Sequence, residues 1–131
     1  HELEEKTARG LDLIMDLDVQ GAQNMRRAVP GCVLVFVLPP TMEVLERRLL
    51  ERGTDDPDAA ARRIETAATE IRRAPLYDYL LVNDHLEQAV EGMVAVIRAD
   101  RCRTERRLPD LARAFDFGGA GRSEGPSSRE P

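Results

Sequence analysis

The sequence predicts an α/β fold, and three observations predict it. Two apolar runs of strand length, residues 11–17 and 32–38, are separated by a helical pattern at residues 19–28. This order is typical of a βαβ unit, in which two parallel strands are joined by a right-handed crossover. A third apolar run, residues 77–82, follows two further helical patterns. The length of 131 residues suffices for one domain and leaves no room for two full cores.

The first elements are expected to be the end of a helix and a buried strand. Residues 1–9 are strongly charged, and Gly10 is suited to end a helix. The run LDLIMDL at residues 11–17 is typical of a parallel strand that is buried on both faces.

Two carboxylates, Asp16 and Asp18, come at the end of that predicted strand. A spacing of two residues puts both side chains on one side of an extended chain. Ligands of open α/β sheets bind outside the carboxyl ends of the strands, so both residues are candidates for reading a base or for lying near a magnesium ion. The alternative is that they only cap the helix that follows.

The stretch after Pro39 and Pro40 predicts two helices joined by a polar turn. Met42 opens an apolar stripe at helical spacing, and Gly53 is expected to end the first helix. Asp56 is a natural N-cap for the second helix, because a proline stands at the first helical position after it.

Three arginines of these helices, Arg48, Arg52 and Arg63, are candidates for binding phosphate. Arg48 and Arg52 lie one turn apart and project together. A guanidinium group binds phosphate oxygens in a bidentate fashion and stays charged. The alternative is a solvated face with ion pairs, each contributing roughly 0 to 1 kcal/mol, to the neighbouring glutamates Glu46, Glu51 and Glu65.

Asn83 and Asp84 end the third predicted strand and should face the same crevice as Asp16. Asp84 and Glu87 form the D-x-x-E spacing of a capping box, which predicts a helix over residues 86 to about 107. For Asn83 a ligand contact and a helix-entry turn both remain open.

Composition and charge argue against several classes of protein. The net charge of -5 argues against a nucleic-acid-binding protein, because such proteins present a basic surface to the phosphate backbone. No apolar run approaches the ~18 residues of a membrane span, and two cysteines build no disulfide framework, which fits a reducing cytoplasm. Lys6, the one lysine, follows Glu5, so these residues contain no phosphate loop of the G-x-x-x-x-G-K-[ST] type.

Five segments of the chain stand out by their order and spacing. They are DLDVQGA at residues 16–22, VFVLPP at 35–40, LERRLLERGTD at 45–55, ARRIETA at 61–67 and YDYLLVND at 77–84. Together they resemble the corresponding segments of bacterial guanylate kinases, and the resemblance covers Gly10 to about Arg107. The resemblance implies a parallel sheet of the P-loop nucleoside monophosphate kinase type, with flanking helices and a helical lid at about residues 41–75. It also implies transfer of a phosphoryl group from ATP to GMP, with Mg²⁺ accompanying the nucleotide and no protein ligand assigned to the metal.

The resemblance implies that the three arginines bind phosphate groups of the nucleotides. Arg52 matches the lid arginine of the RGT motif and Arg63 the arginine of the next helix, and both embrace the transferring phosphoryl group in the family. Arg48 matches another lid arginine that contacts nucleotide phosphates.

The remaining candidates match residues that surround the two nucleotides. Asp18 matches the acid that reads the amino edge of guanine, and Asp16 matches the acid near the phosphates and metal. Asn83 and Asp84 match the pair that lines the adenine nucleotide site. His85 stands where the family usually has a further aspartate, at a position that begins a helix.

The resemblance also predicts what lies outside the sequence. The chain begins with His1 rather than methionine, and the family's phosphate loop, its first strand and most of its GMP-binding segment are expected upstream. The chain alone is therefore expected to be unstable or aggregation-prone and inactive. Residues 1–117 are expected to be a partial guanylate kinase domain, and residues 118–131, rich in Gly, Ser and Pro, a disordered tail.

Two alternatives to guanylate kinase activity remain open. The first is a guanylate-kinase-like interaction module in which catalysis is lost. Retention of Arg48, Arg52 and Arg63 favours the enzyme, because a module has no need of three phosphate-closing arginines. The second, another monophosphate kinase, is disfavoured by Asp18 and the D-x-D-x-x-G pattern around it.

Overall fold

The computed structural model describes residues 2–52 and 56–115. A short 3₁₀ helix at Ala74–Leu76 precedes the second strand. The elements of regular structure are the helices α1 (Glu2–Ala8), α2 (Val19–Ala28), α3 (Met42–Arg52), α4 (Pro57–Ile71), α5 (Leu86–Arg101) and α6 (Thr104–Phe115), and the strands β1 (Val35–Leu38) and β2 (Tyr79–Val82).

Strands β1 and β2 form a parallel sheet, with Val35 opposite Tyr79 and Leu38 opposite Val82. Helices α3 and α4, which pack against each other, form the connection between the two strands. Beyond the last pair, the backbone N–H of Asn83 donates to the carbonyl of Leu38 at 2.7 Å. Parallel strands with a helical crossover confirm the predicted α/β class.

Residues 11–17 do not form the buried strand that their composition predicts. No strand pairing involves them within the described residues, where β1 and β2 pair only with each other. Their large apolar side chains are between 36% and 72% exposed: Leu11, Leu13, Ile14, Met15 and Leu17. A strand depends on a partner's backbone groups as well as on its own apolar side chains, and the described part of the chain offers this segment no such partner.

Both strands begin later than their apolar runs predict, and before β1 side chains take backbone groups that would otherwise extend the ladder. Arg26 donates from Nη1 to the carbonyl of Cys32 at 2.8 Å, and the N–H of Leu34 donates to Oδ2 of Asp78 at 2.7 Å. The ladder therefore starts at Val35, three residues after the start of the apolar run.

Local capping explains several helix ends. Helix α1 ends in a Schellman motif: Gly10 has φ +74°, its N–H donates to Thr7 and the N–H of Leu11 donates to Lys6. Helix α2 spans the predicted residues, and Asp56 caps α4 as predicted, with its carboxylate accepting from the N–H of Asp58. Of the polar turn, predicted at residues 53–56, residues 53–55 lie outside the described residues.

The single helix predicted over residues 86–107 is wrong, because α5 ends at Arg101 and α6 begins at Thr104. The N–H groups of Cys102 and Arg103 each bond to the carbonyl three residues earlier, which tightens the end of α5. Asp100 then accepts from Arg106 of α6 at 2.7 Å, an ion pair that helical periodicity does not predict.

The chain divides into two compact units, His1–Ala89 and Val90–Pro131. The buried apolar residues of the first unit are Ala22, Leu34 and Ala60. Phe36 and Tyr77 also meet there edge to face, with ring centroids 4.8 Å apart. The predicted site residues all lie in the first unit. The predicted tail, residues 118–131, lies outside the described residues.

Candidate functional site

The carboxyl end of the sheet carries a contact between two of the predicted site residues. Arg48, in the middle of α3, donates from Nη1 to the carbonyl oxygen of Asn83 at 2.8 Å. Asn83 directly follows β2, so the bond joins α3 to the strand end where ligands bind in open α/β sheets. Both residues are half-buried.

Arg52 and Arg63 are exposed and have no hydrogen-bond or ion-pair partner among residues 2–52 and 56–115. Arg63 lines a shallow cleft on the α3–α4 pair together with Leu49, Arg62 and Thr66. The predicted alternative, ion pairs from Arg48, Arg52 and Arg63 to the neighbouring glutamates, does not occur in the described part of the chain. Their guanidinium groups thus retain free donors for an anionic ligand.

Asp18 is the N-cap of α2, and its Oδ1 accepts from the N–H of Gly21 at 2.6 Å. Glycine at position 21 leaves room for this cap, because a Cβ there would stand 2.9 Å from the same oxygen and 3.4 Å from Cβ of Leu17, so the carboxylate would have to shift. The capping role left open by the sequence is therefore real. The second carboxylate oxygen is not used by the cap, and Asp18 as a residue is exposed.

The other predicted acids are exposed. Asp16 has no partner among the described residues. One carboxylate oxygen of Asp84 lies 3.7 Å from Nε2 of His85. Within residues 2–52 and 56–115 no three His, Cys, Asp or Glu side chains come close enough to hold a metal ion.

The amino end of the sheet carries a cluster that the sequence did not indicate. Arg26 of α2 forms an ion pair with Oδ2 of Asp78, the oxygen that also accepts from Leu34, and donates to the carbonyls of Cys32 and Pro30 at 2.8 and 3.4 Å. The cluster joins α2 to the residues that precede both strands. The residues of the pair stand 52 positions apart, one inside α2 and the other directly before β2, so no local sequence pattern links them.

Tyr77 lies beside this sheet and carries a phenol whose acidity is changed by its surroundings. Burial raises the pKa of the Tyr77 phenol, and the carboxylates of Glu70 and Asp18 raise it further. The neutral phenol is thus retained well into alkaline solution.

A ligand at the carboxyl end of the sheet would meet Arg48, anchored on Asn83, and a second guanidinium one turn along α3 at Arg52. This arrangement suits a ligand with several anionic oxygens, because each guanidinium presents up to five donors in a planar fork. Asp18, in contrast, offers an acceptor at the start of α2 and suits a ligand N–H group.

Comparisons with known proteins decide the family. The sequence model described as guanylate kinase matches residues 1–100. The chain belongs to the guanylate kinase family. It is 47% identical over 116 residues to the guanylate kinase of Geobacter metallireducens, a match that covers 88% of this chain and 57% of that protein. It is 46% identical over 104 residues to a guanylate kinase of Thermus thermophilus, a match that covers 79% of this chain and 47% of the relative.

A solved structure of the family supports the fold. The crystal structure of guanylate kinase from Anaplasma phagocytophilum matches with a TM-score of 0.70 and 28% identity, over 88% of this chain and 55% of that one. The chain thus spans about half the length of the guanylate kinases that it matches. No helix in the described ranges is both long and apolar enough to cross a membrane.

Proposed function

We propose that the whole protein is a guanylate kinase that transfers a phosphoryl group from ATP to GMP, giving ADP and GDP. The observation that carries the proposal is the bond from Arg48 to the carbonyl of Asn83, which holds the middle of α3 at the carboxyl end of the sheet. Family membership favours nucleotide phosphates as the anions bound at that end.

Arg52 and Arg63 are the proposed catalytic residues. In phosphoryl transfer negative charge spreads over the equatorial oxygens, and the protein contributes positioning and electrostatic stabilisation. Both side chains are exposed and without partners in the described residues, so they turn to the phosphoryl group without first breaking an ion pair. Arg48 is proposed to contact the phosphates with the donors that its bond to Asn83 leaves free.

The nucleotide bases are proposed to lie at the other predicted residues. Asp18 accepts from the guanine amino edge with the oxygen that the helix cap does not use. Asn83 and Asp84 line the site of the adenine nucleotide, and Asp16 lies near the phosphates.

Mg²⁺ is proposed to arrive with ATP. Its proposed ligands are mainly phosphate oxygens and water, because Mg²⁺ dehydrates reluctantly and usually binds together with substrate phosphates. When bound, the cation neutralises developing charge on the β- and γ-phosphates. Asp16 is the carboxylate proposed to lie nearest to it.

The proposed location of the enzyme is the cytoplasm. Two free cysteines, Cys32 and Cys102, and the nucleotide substrates fit this location.

The substitution Arg52→Gln in the whole protein tests the proposal. We expect kcat for GMP phosphorylation to fall by about 10³-fold or more, as for other arginines that reach a phosphoryl transition state. Arg47→Gln is the matched control, because Arg47 is an exposed neighbour on α3 that also lacks a partner among the described residues. Both variants should keep the wild-type melting temperature, since exposed substitutions change stability by only about 0.5 kcal/mol.

The two outcomes are readily separated. A wild-type protein that does not phosphorylate GMP would overturn the function and favour a non-catalytic interaction module. An active wild-type protein with Arg52→Gln within tenfold of its kcat would overturn the assigned role of Arg52 alone.

A further inference from the structure

The three lid arginines stand in different surroundings. Arg48 is half-buried and donates to the Asn83 carbonyl, whereas Arg52 and Arg63 are exposed and have no partner in the described residues. A bond to a backbone carbonyl cannot select a nucleotide by itself. The difference therefore indicates that Arg48 has a task that the other two do not share.

The bond of Arg48 completes a short ring of contacts between α3 and the ends of both strands. Asn83 accepts from Arg48 through its carbonyl and donates through its N–H to the carbonyl of Leu38 at 2.7 Å. Leu38 is the last residue of β1, and α3 follows it after only a short turn. Arg48 thus links the middle of α3 to the carboxyl ends of the strands, close to the point where the helix begins.

The position of this tie limits how far α3 can move. At about 1.5 Å per residue, Arg52 lies about 15 Å from the start of α3 at Met42 but only about 6 Å beyond Arg48. A rotation of about 30° would move Arg52 by about 8 Å around the start of the helix, and by about 3 Å around Arg48. With a pivot at Arg48, the displacement of Arg52 is therefore small enough for a change in its side-chain conformation to make up.

We propose that Arg48 is a positioning residue and the pivot of the helical lid. Its bond to the Asn83 carbonyl holds α3 on the sheet while the α3–α4 pair turns about this point and brings Arg52 and Arg63 to the phosphates. The proposal rests on the proposed function, which gives the lid a reason to close. It goes beyond that function because Arg48 acts on the protein before any nucleotide binds.

The test measures the lid in the whole protein without nucleotide. Spin labels are attached at Glu65→Cys on α4 and Ala28→Cys on α2, both exposed positions of the first unit, after the native cysteines are replaced by serine. Pulsed electron paramagnetic resonance then gives the distribution of distances between them. We expect Arg48→Gln to widen this distribution by about 3 Å or more, and the control Arg47→Gln to leave it at the wild-type width.

Equal widths for Arg48→Gln and Arg47→Gln would overturn the pivot. If Arg48→Gln does not fold, as judged by circular dichroism, the wild-type protein decides by ¹⁵N nuclear magnetic resonance. Slow rotation of the Arg48 guanidinium about its Nε–Cζ bond supports an anchored side chain, and free rotation overturns it. Neither measurement involves catalysis. An inactive wild-type protein would therefore contradict the proposed function, whereas the pivot would still be decided by the distance distributions and the guanidinium rotation.

Discussion

Gly21→Ala should weaken GMP binding while leaving the stability of the protein almost unchanged. The added methyl group would stand 2.9 Å from Oδ1 of Asp18, which is bonded to the Gly21 N–H at 2.6 Å. The aspartate side chain is short, so the carboxylate must rotate away and the helix cap is lost. Asp18 is also the residue proposed to read guanine, and one substitution therefore disturbs both roles.

The stability terms of this substitution oppose each other. Loss of an N-cap bond costs about 0.5 to 2 kcal/mol of stability, and replacing glycine by alanine within a helix offsets about 1 kcal/mol of that loss. The free energy of unfolding should therefore change by about 1 kcal/mol at most. Loss of a hydrogen bond between a carboxylate and guanine costs about 1.5 to 3 kcal/mol, which corresponds to a rise of about 10- to 150-fold in KM for GMP.

Steady-state kinetics of the whole protein, with GMP and ATP varied in turn, measure the effect. KM for ATP should stay at the wild-type value, because Asp18 is not placed at the adenine nucleotide site. Gly31→Ala is the matched control, since a methyl group at Gly31 meets no atom within 4 Å. The reasoning fails if Gly21→Ala leaves KM for GMP within twofold of wild type, or if KM for ATP rises in parallel.

Two further predictions concern the first unit of the fold. Asp78→Ala removes the acceptor of both Arg26 and the Leu34 N–H, and we expect a loss of about 1 to 3 kcal/mol in urea unfolding; a loss below about 0.5 kcal/mol, the usual range of a surface change, would contradict the role of the cluster. Burial raises the pKa of Tyr77 above its ordinary value of 10.0, so the folded state holds the phenol proton more tightly than the unfolded chain. The stability that this proton contributes should be full below about pH 10 and should fall as the pH rises toward the folded pKa. In Tyr77→Phe the free energy of unfolding should therefore fall less steeply with pH in this alkaline range. The same pH dependence in both proteins would contradict the raised pKa of Tyr77.

Sequence patterns were most successful where structure depends on near neighbours. The cap at Asp56, the glycine end of α1 at Gly10 and the full extent of α2 were predicted, because each depends on residues within about one turn. The same locality explains why Asp18 was foreseen as a possible cap but not the need for glycine at position 21. That need follows from the direction in which the Asp18 carboxylate turns.

The failures share a different cause. Residues 11–17 have the composition of a buried strand, yet no pairing partner meets them within the described chain, and their side chains are exposed. The break between α5 and α6 is accompanied by the ion pair of Asp100 with Arg106, and the late start of β1 by side chains of Arg26 and Asp78. Each depends on a contact whose partner the local pattern does not specify.

By itself, the sequence determined the fold class, the family and the identity of the candidate residues, because helical periodicity, capping residues and motif spacing are written into short stretches of chain. Only the tertiary structure decided which of those residues meet. It joined Arg48 to Asn83 across 35 positions, left Arg52 and Arg63 without partners in the described residues, and paired Arg26 with Asp78. The physical reason is that a hydrogen bond requires two groups at one place, and for distant residues that place is set by how the helices and strands pack.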